Sequence, residues 1–260
     1  MLPERFAAAA LHVVTCLALV AGPMDPAAAA GQDAPRPWRA EGELGGAAFF
    51  GNTSAMTLTA RTALALADSV RELSADGGYT YGQATDRDGD AFVNKRSWAV
   101  GLTFDHHPLE RWSPFAFGRL ESSLEQRIDL RYNLGAGGKY TLVNNPTSMV
   151  DLSLAMLGER TVPAGDVAEP ATLLRWSGRL RARRTIAGER LTLASETFWK
   201  PRVDEIDEFT LISSSSVAFV LTDRISLKLS FLDSYDSEAK ARGARSNNDG
   251  QVVLSVLSKL

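Results

Sequence analysis

The middle of the chain contains a long stretch in which apolar and polar side chains alternate. Between residues 128 and 142 the even positions include Ile128 and Leu134, and the odd positions include Asp129, Arg131 and Lys139. Successive side chains of a β-strand point to opposite faces, so the pattern predicts one strand with an apolar face and a charged face. A strand in a soluble sheet usually has about 5–6 residues, whereas a tilted strand that crosses a membrane needs roughly 9–11. The stretch therefore has the length of a membrane-spanning strand.

The same alternation recurs from Trp38 to the end of the chain and predicts about twelve strands. Turn residues separate the runs, as at Gly51–Ser54, Asn144–Pro146 and Thr222–Arg224. No helical periodicity of any length lies between the runs, which argues against an α/β enzyme fold. The pattern is that of an all-β protein.

Two all-β architectures fit this pattern. In an outer-membrane barrel the apolar face meets lipid and the charged face lines the lumen, whereas in a secreted or periplasmic ligand-binding protein the charged face meets water. If the first strand runs outward from the periplasm, the longer loops, such as Val162–Pro170 and Ser234–Asp249, fall mostly on the outer side. Outer-membrane barrels show this sorting. We therefore predict a single antiparallel, up-and-down transmembrane β-barrel of about twelve strands over residues 38–260, with the ligand-binding protein as the alternative.

Residues 1–30 have the pattern of a secretory signal peptide. Arg5 precedes an apolar run that continues to about Gly22, and small residues follow up to Ala28–Ala30. An N-terminal membrane anchor is the alternative, but the run is shorter than the ~20 residues of a helical span. Residues 31–37 are polar and contain proline, which predicts a short flexible leader. The chain is therefore expected in the outer membrane, inserted into lipid by the barrel-assembly machinery.

Composition argues against several classes of function. The 260 residues carry a formal net charge of -3, and Lys and Arg are spread along the chain rather than clustered, so nucleic-acid binding is not expected. The single cysteine, Cys16, lies in the predicted signal peptide, so the mature chain has no disulfide framework and no cysteine metal site. No cofactor is indicated.

Three segments form a specific combination by their order and spacing: Gly51–Ser54, Arg127–Tyr140, and Leu221–Ser230 with its continuation through Ser234–Ser237 and Asn248–Asp249. Together they resemble the family of domain of unknown function 481, the salt-stress-induced (YdiY-like) outer-membrane proteins, over about residues 38–260. The resemblance implies a single outer-membrane β-barrel domain with no established activity. The chain departs from such barrels at its end, because Ser258–Leu260 lacks the terminal aromatic residue that the insertion machinery usually recognises.

Charged side chains of the predicted strands are expected to face the lumen, because an Arg or Lys on the lipid face costs about 2–4 kcal/mol near the midplane. Arg175, Arg179, Arg181 and Arg183 share one face of the predicted eighth strand. They either form a basic ladder that attracts anions or pair with lumen acids and plug the barrel. We favour the plug, because about twelve strands do not enclose the wide lumen of large porins.

The expected acidic partners of these arginines are Asp129, Asp151, Glu159 and Glu196. Asp129, Arg131 and Lys139 are expected to meet the arginines across the lumen. The complete set of candidate lumen-facing charges is Asp129, Arg131, Lys139, Glu159, Arg175, Arg179, Arg181, Arg183 and Glu196.

A few residues are candidates for catalysis or metal binding. A lipid-active barrel enzyme needs a histidine beside a serine, but His106 and His107 lie in a predicted turn, far along the chain from Ser213–Ser216. Asp86–Asp90 resembles a calcium loop but lacks the later bidentate Glu of an EF-hand, so a solvated loop is preferred. No catalytic or metal-binding residue is assigned. The sequence leaves the role open between a narrow channel for small solutes and an envelope-stress or structural barrel.

Overall fold

A computed structural model of the chain describes residues 38–49, 55–85, 90–165, 169–188 and 190–259. The predicted signal peptide at 1–30, the leader at 31–37, the Gly51–Ser54 turn and residues 86–89 of the acidic loop lie outside the described residues. The strands are β1 (Trp38–Phe49), β2 (Ala55–Ala67), β3 (Arg71–Thr85), β4 (Ala91–His106), β5 (Trp112–Ser123), β6 (Ile128–Asn145), β7 (Ser148–Pro163), β8 (Ala171–Ile186), β9 (Leu191–Pro201), β10 (Phe209–Val220), β11 (Ile225–Asp236) and β12 (Asn248–Lys259).

The strands form one closed antiparallel barrel. Each strand pairs with its neighbours in the sequence, and β12 pairs with β1 to complete the ring. This confirms the predicted up-and-down barrel of twelve strands. Closure leaves no unpaired sheet edge along the ring, which is the condition for a sheet to exist in lipid. Within the part of the chain that the structure describes, no helix is long and apolar enough to span a membrane.

Alternation along each strand separates an apolar outer surface from a polar lumen. Large aliphatic side chains such as Leu44, Leu58 and Leu134 point outward, and Leu134 is 74% exposed. Thr59 and Arg131, in the opposite phase of the alternation, are buried in the lumen. An apolar belt of this kind is what lipid covers in an outer-membrane barrel, so the outer surface and the lumen have the predicted polarity.

Links between strands differ in length at the two ends of the barrel. We call the end that carries the links after β1, β3, β5, β7, β9 and β11 the loop end, and the other the turn end. The longest links, 164–170, 202–208 and 237–247, all lie at the loop end. The shortest, 146–147, lies at the turn end. The longer links therefore fall at one end, as predicted.

A β-bulge at the start of β6 changes the phase of the alternation. Ile128 pairs with Pro163 while Leu130 pairs with Val162, which leaves Asp129 as the extra residue. Ile128 is consequently buried on the inner side, and Asp129 is exposed. The prediction that Ile128 belongs to the apolar outer face is therefore wrong, because one extra residue shifts a period of two by half its length.

Glycines of β6 allow aromatic rings to lie against both faces of the strand. On the inner face, a Cβ at Gly135 would stand 2.8 Å from the ring of Phe117. On the outer face, a Cβ at Gly138 would overlap the indole ring of Trp112. The glycine-rich segment of the family resemblance thus has a packing role in this barrel.

Candidate functional site in the lumen

The arginines of β8 show how the lumen changes along its axis. Arg175, Arg179 and Arg181 point inward, and their side chains are 0%, 20% and 35% exposed in that order. Arg183, next in the same phase, is exposed. Because β8 runs from the loop end to the turn end, its inward arginines become more exposed from the loop end towards the turn end.

Asp151 of β7 holds two of these arginines. Its carboxylate lies 3.3 Å from Arg179 and 2.7 Å from Arg181, and Arg179 also approaches Glu196 of β9 at 3.6 Å. The antiparallel register sets this arrangement, because Asp151 is directly opposite Arg181 and Arg181 is directly opposite Glu196. Charges of opposite sign therefore alternate around this part of the inner wall.

Nearer the loop end, Glu159 lies between two buried arginines. Its carboxylate is 3.1 Å from Arg175 and 3.8 Å from Arg131, and Arg131 also pairs with Glu121 at 3.3 Å. Arg175 also donates hydrogen bonds to the backbone carbonyl oxygens of Lys200 and Glu208. Desolvating such charges costs several kcal/mol each unless they are paired and hydrogen-bonded, so these contacts make the burial possible.

The β11–β12 loop, residues 237–247, folds into the lumen. Glu238 forms an ion pair with Arg175 at 2.6 Å, and Arg242 forms one with Asp236, also at 2.6 Å. Ala239 and Arg242 are buried, and Arg242 also reaches the backbone oxygen of Gln126. The sequence predicts the side of the barrel on which this loop lies but not its entry into the lumen. The loop enters because its charges find buried partners of opposite sign on the inner wall.

Contacts between opposite walls close the loop end. Arg131 of β6 reaches Asp236 of β11 at 3.1 Å, although the two strands lie nearly opposite each other in the ring. Gln126 donates a hydrogen bond to Ser234 at 3.0 Å across the same gap. We call the charged residues that tie the walls and the loop together the cross-lumen network. Its members are Arg131, Glu159, Arg175, Asp236, Glu238 and Arg242.

The structure brings some of the predicted lumen charges together and separates others. Arg131, Glu159 and Arg175 meet in the cross-lumen network, while Arg179, Arg181 and Glu196 meet around Asp151. Lys139 pairs with Asp105 of β4 at 3.2 Å instead of meeting the β8 arginines. Asp129 is exposed in the β6 bulge and does not reach them. Its predicted pairing is therefore wrong, for the same reason as the placement of Ile128.

Sequence reasoning missed Asp236, Glu238 and Arg242. Asp236 is the last residue of a strand, and the other two lie in a loop, so alternation alone does not assign them to the lumen. Their partners, Arg131 and Arg175, were found because they lie within strands. One sequence feature could have indicated their position in the lumen: the loop contains both acidic and basic residues and follows Asp236, a charged residue at the end of a strand.

A separate ion cluster organises the β9–β10 link outside the strands. Arg202 donates hydrogen bonds to Asp204 at 2.7 Å and to Glu208. The hydrogen bond from Arg202 holds the pKa of the Asp204 carboxyl below its usual range, and the same contacts raise the pKa of Arg202. Pro201, the last residue of β9, precedes Arg202 directly and is fully buried. The link is therefore held at the rim of the loop end.

The residues considered for lipid chemistry lie far apart. His106 ends β4, and Ser213–Ser216 lie in β10, on the opposite side of the ring. His107 instead forms a contact of 3.2 Å with Glu110 within its own turn. The fold therefore does not assemble these histidines and serines into a nucleophile and base.

Comparisons with known proteins agree with the geometry. The family model described as "Protein of unknown function, DUF481" matches residues 42–257. No curated protein matches the chain. Among solved structures, the NanC porin superimposes with a TM-score of 0.51 at 8% identity, over 85% of this chain and 100% of that one. The COG4313 outer membrane channel from Pseudomonas putida F1 gives a TM-score of 0.51 at 10% identity, over 92% and 100%. At such identities the likeness shows the fold, a barrel of the outer-membrane type.

Proposed function

Since the chain belongs to the DUF481 family of proteins of unknown function and has an outer-membrane-type barrel, we propose that it is a narrow outer-membrane channel for small solutes, closed at rest. Export through the signal at 1–30 and insertion by the barrel-assembly machinery are part of this proposal. The loop end faces the outside, because outer-membrane barrels place their longer loops there. The turn end then faces the periplasm.

The observation that carries the proposal is the way in which the loop end is closed. The β11–β12 loop is held in the lumen by side-chain ion pairs, Arg175 with Glu238 and Arg242 with Asp236, and not by an apolar core. Ala239 is the one buried apolar side chain of the loop among the described residues. These contacts are polar, so water and solute ions can replace them when the loop leaves the lumen. A closure of this kind is compatible with a channel that the loop opens and closes.

A structural or envelope-stress barrel is the second candidate. The observation that favours it is the complete pairing of Glu159 and Arg175 deep in the lumen. If those pairs never separate, the barrel is permanently plugged. The two candidates differ in whether the removal of the loop produces a conducting pore.

Membrane location is tested by fractionation. The mature chain is expected in the outer-membrane fraction, with a gel mobility that changes on heating, because a closed barrel resists detergent until it is boiled. Recovery of the folded chain from the soluble periplasm would contradict the proposal and favour the secreted ligand-binding alternative.

Shortening the β11–β12 loop is expected to open the channel. Asp236 donates its backbone N–H to the carbonyl of Asn247 at 2.8 Å, so the two ends of the loop already face each other. Replacing residues 237–246 by Asn-Gly should close the hairpin with a tight turn and remove Glu238 and Arg242. In planar bilayers this variant is expected to conduct severalfold more current than the parent protein.

Point variants in the same loop provide a matched comparison. Glu238→Gln, which breaks the pair with Arg175, is expected to increase the frequency of opening. Lys240→Gln removes a charge from an exposed position of the loop and is expected to leave the current unchanged. Background current through a loop-shortened barrel that still shows heat-dependent mobility would rule out the channel and leave the plugged structural barrel.

A further inference from the structure

The inner wall just beyond the cross-lumen network contains an aromatic ring flanked by two cations. Phe198 points into the lumen from β9, opposite Arg179 of β8. The guanidinium of Arg179 lies 5.9 Å from the centre of its ring, and the ammonium of Lys200 lies 5.5 Å from it. Thr210 of β10 is directly opposite Lys200. We call Arg179, Phe198, Lys200 and Thr210 the Phe198 patch.

Polar atoms of the Phe198 patch lack protein partners. Thr210 is 3% exposed, and its hydroxyl forms no hydrogen bond; the Nε of Arg179 is likewise buried without one. Among the described residues, the ammonium of Lys200 makes no ion pair or hydrogen bond, and it lies beside the ring of Phe198. Nearly all buried polar groups in proteins are hydrogen-bonded, so unsatisfied donors beside one ring indicate a place for a ligand.

The acids nearest to Lys200 are engaged with other cations. Glu121 pairs with Arg131 at 3.3 Å, and Glu159 pairs with Arg175 at 3.1 Å. Among the described residues, no acid lies within ion-pair distance of Lys200 itself, so its ammonium is available to an anion.

We infer that the Phe198 patch is a binding site for small organic anions with a carboxylate group and a flat apolar body. The carboxylate accepts hydrogen bonds from the ammonium of Lys200 and from Thr210, and the apolar body lies on the ring of Phe198. This assignment rests on the proposed channel, since it names the class of solute that the pathway takes. Arg179 and Arg181 are increasingly exposed towards the turn end, which gives the anion a route to the patch from that side.

The binding test uses 4-fluorobenzoate as the probe and 4-fluorobenzamide as its uncharged counterpart. The folded mature chain in detergent micelles is expected to broaden the fluorine NMR signal of the benzoate but not that of the benzamide, after subtraction of empty micelles. Lys200→Gln removes the charge-assisted hydrogen bond and is expected to weaken benzoate binding by about tenfold or more.

Lys228→Gln is the matched control, because it also removes one lumen lysine. Lys228 pairs with Glu43 at 2.8 Å on another part of the wall, so benzoate binding should be retained. Equal loss in the two variants would show an effect of total charge and would overturn the site, as would equal binding of the benzamide or no binding by the folded parent chain. Binding without conductance in the loop-shortened barrel rejects the channel and keeps the site, whereas conductance without binding rejects only the site.

Discussion

Replacing Arg175 by methionine is expected to lower the free energy of unfolding by about 3–5 kcal/mol, the usual cost of breaking a buried ion pair from one side. Arg175 is fully buried and contacts Glu159 at 3.1 Å and Glu238 at 2.6 Å. Methionine fills a similar volume but leaves the carboxylate of Glu159 buried with a longer contact to Arg131, 3.8 Å away, and a hydrogen bond from Thr161. Unfolding of the vesicle-inserted barrel by guanidinium, followed by tryptophan fluorescence, measures the loss.

Arg183→Met provides the control for the Arg175 prediction. The residue lies on the same strand in the same phase, but it is exposed near the turn end. A surface substitution of this kind usually changes stability by no more than about 0.5 kcal/mol. Adding Glu159→Gln to Arg175→Met should recover part of the lost stability, because the unpaired charge is then neutralised. If both methionine variants unfold alike, the cross-lumen network does not stabilise the barrel.

Replacing Gly137 by alanine is expected to destabilise the barrel by about 1–3 kcal/mol or more, or to prevent insertion, because overpacking forces shifts in the surrounding structure. A Cβ at this position would stand 2.6 Å from the Cα and the Cβ of Ala155 on β7 and would overlap a backbone oxygen of the same strand. These are atoms of a neighbouring strand that cannot rotate away. β6 and β7 would therefore have to separate. The measurements are heat-dependent gel mobility and guanidinium unfolding.

Gly138 distinguishes a clash with a side chain from a clash with the backbone. The Cβ of Gly138→Ala would meet the ring of Trp112, so Trp112→Ala in the same chain should relieve the clash and make the double variant more stable than the sum of the single effects predicts. No side-chain removal is expected to rescue Gly137→Ala in the same way. Gly158→Ala, whose Cβ would have its nearest neighbour at 4.0 Å, is the control and should change stability little. A destabilised Gly158→Ala would point to loss of backbone freedom and not to crowding.

Most of the barrel was predictable because alternation is a local property. Leu134 and Arg131 take opposite faces as soon as residues around them form a strand, and lipid and lumen then sort them. Two features were not predictable from local alternation. Asp129 is the extra residue of a β-bulge, and no turn residue in the sequence marks that bulge. Residues 237–247 enter the lumen through contacts with distant strands.

The charged site was predictable only in part. The inward orientation of the arginines was predicted from the high cost of placing a charge in lipid. Asp151 was predicted as one of several acidic partners, and the strand register places it directly opposite Arg181. Lys200 and Phe198, whose strand does not show a clear charged face, were not singled out. Their role as a candidate binding site depends on which neighbouring polar groups lack hydrogen-bond partners, and this cannot be read from the sequence.

The sequence alone determined that this chain forms a long-stranded barrel with an apolar outside and a charged inside, because apolar and polar residues alternate within each strand independently of the other strands. Only the tertiary structure decided that Arg131 meets Asp236, that Glu238 reaches Arg175, and that the lumen is closed at one end. These contacts join residues that are far apart in the chain. Their distances depend on the stagger and closure of the whole ring and on the path of one loop, which no local pattern specifies.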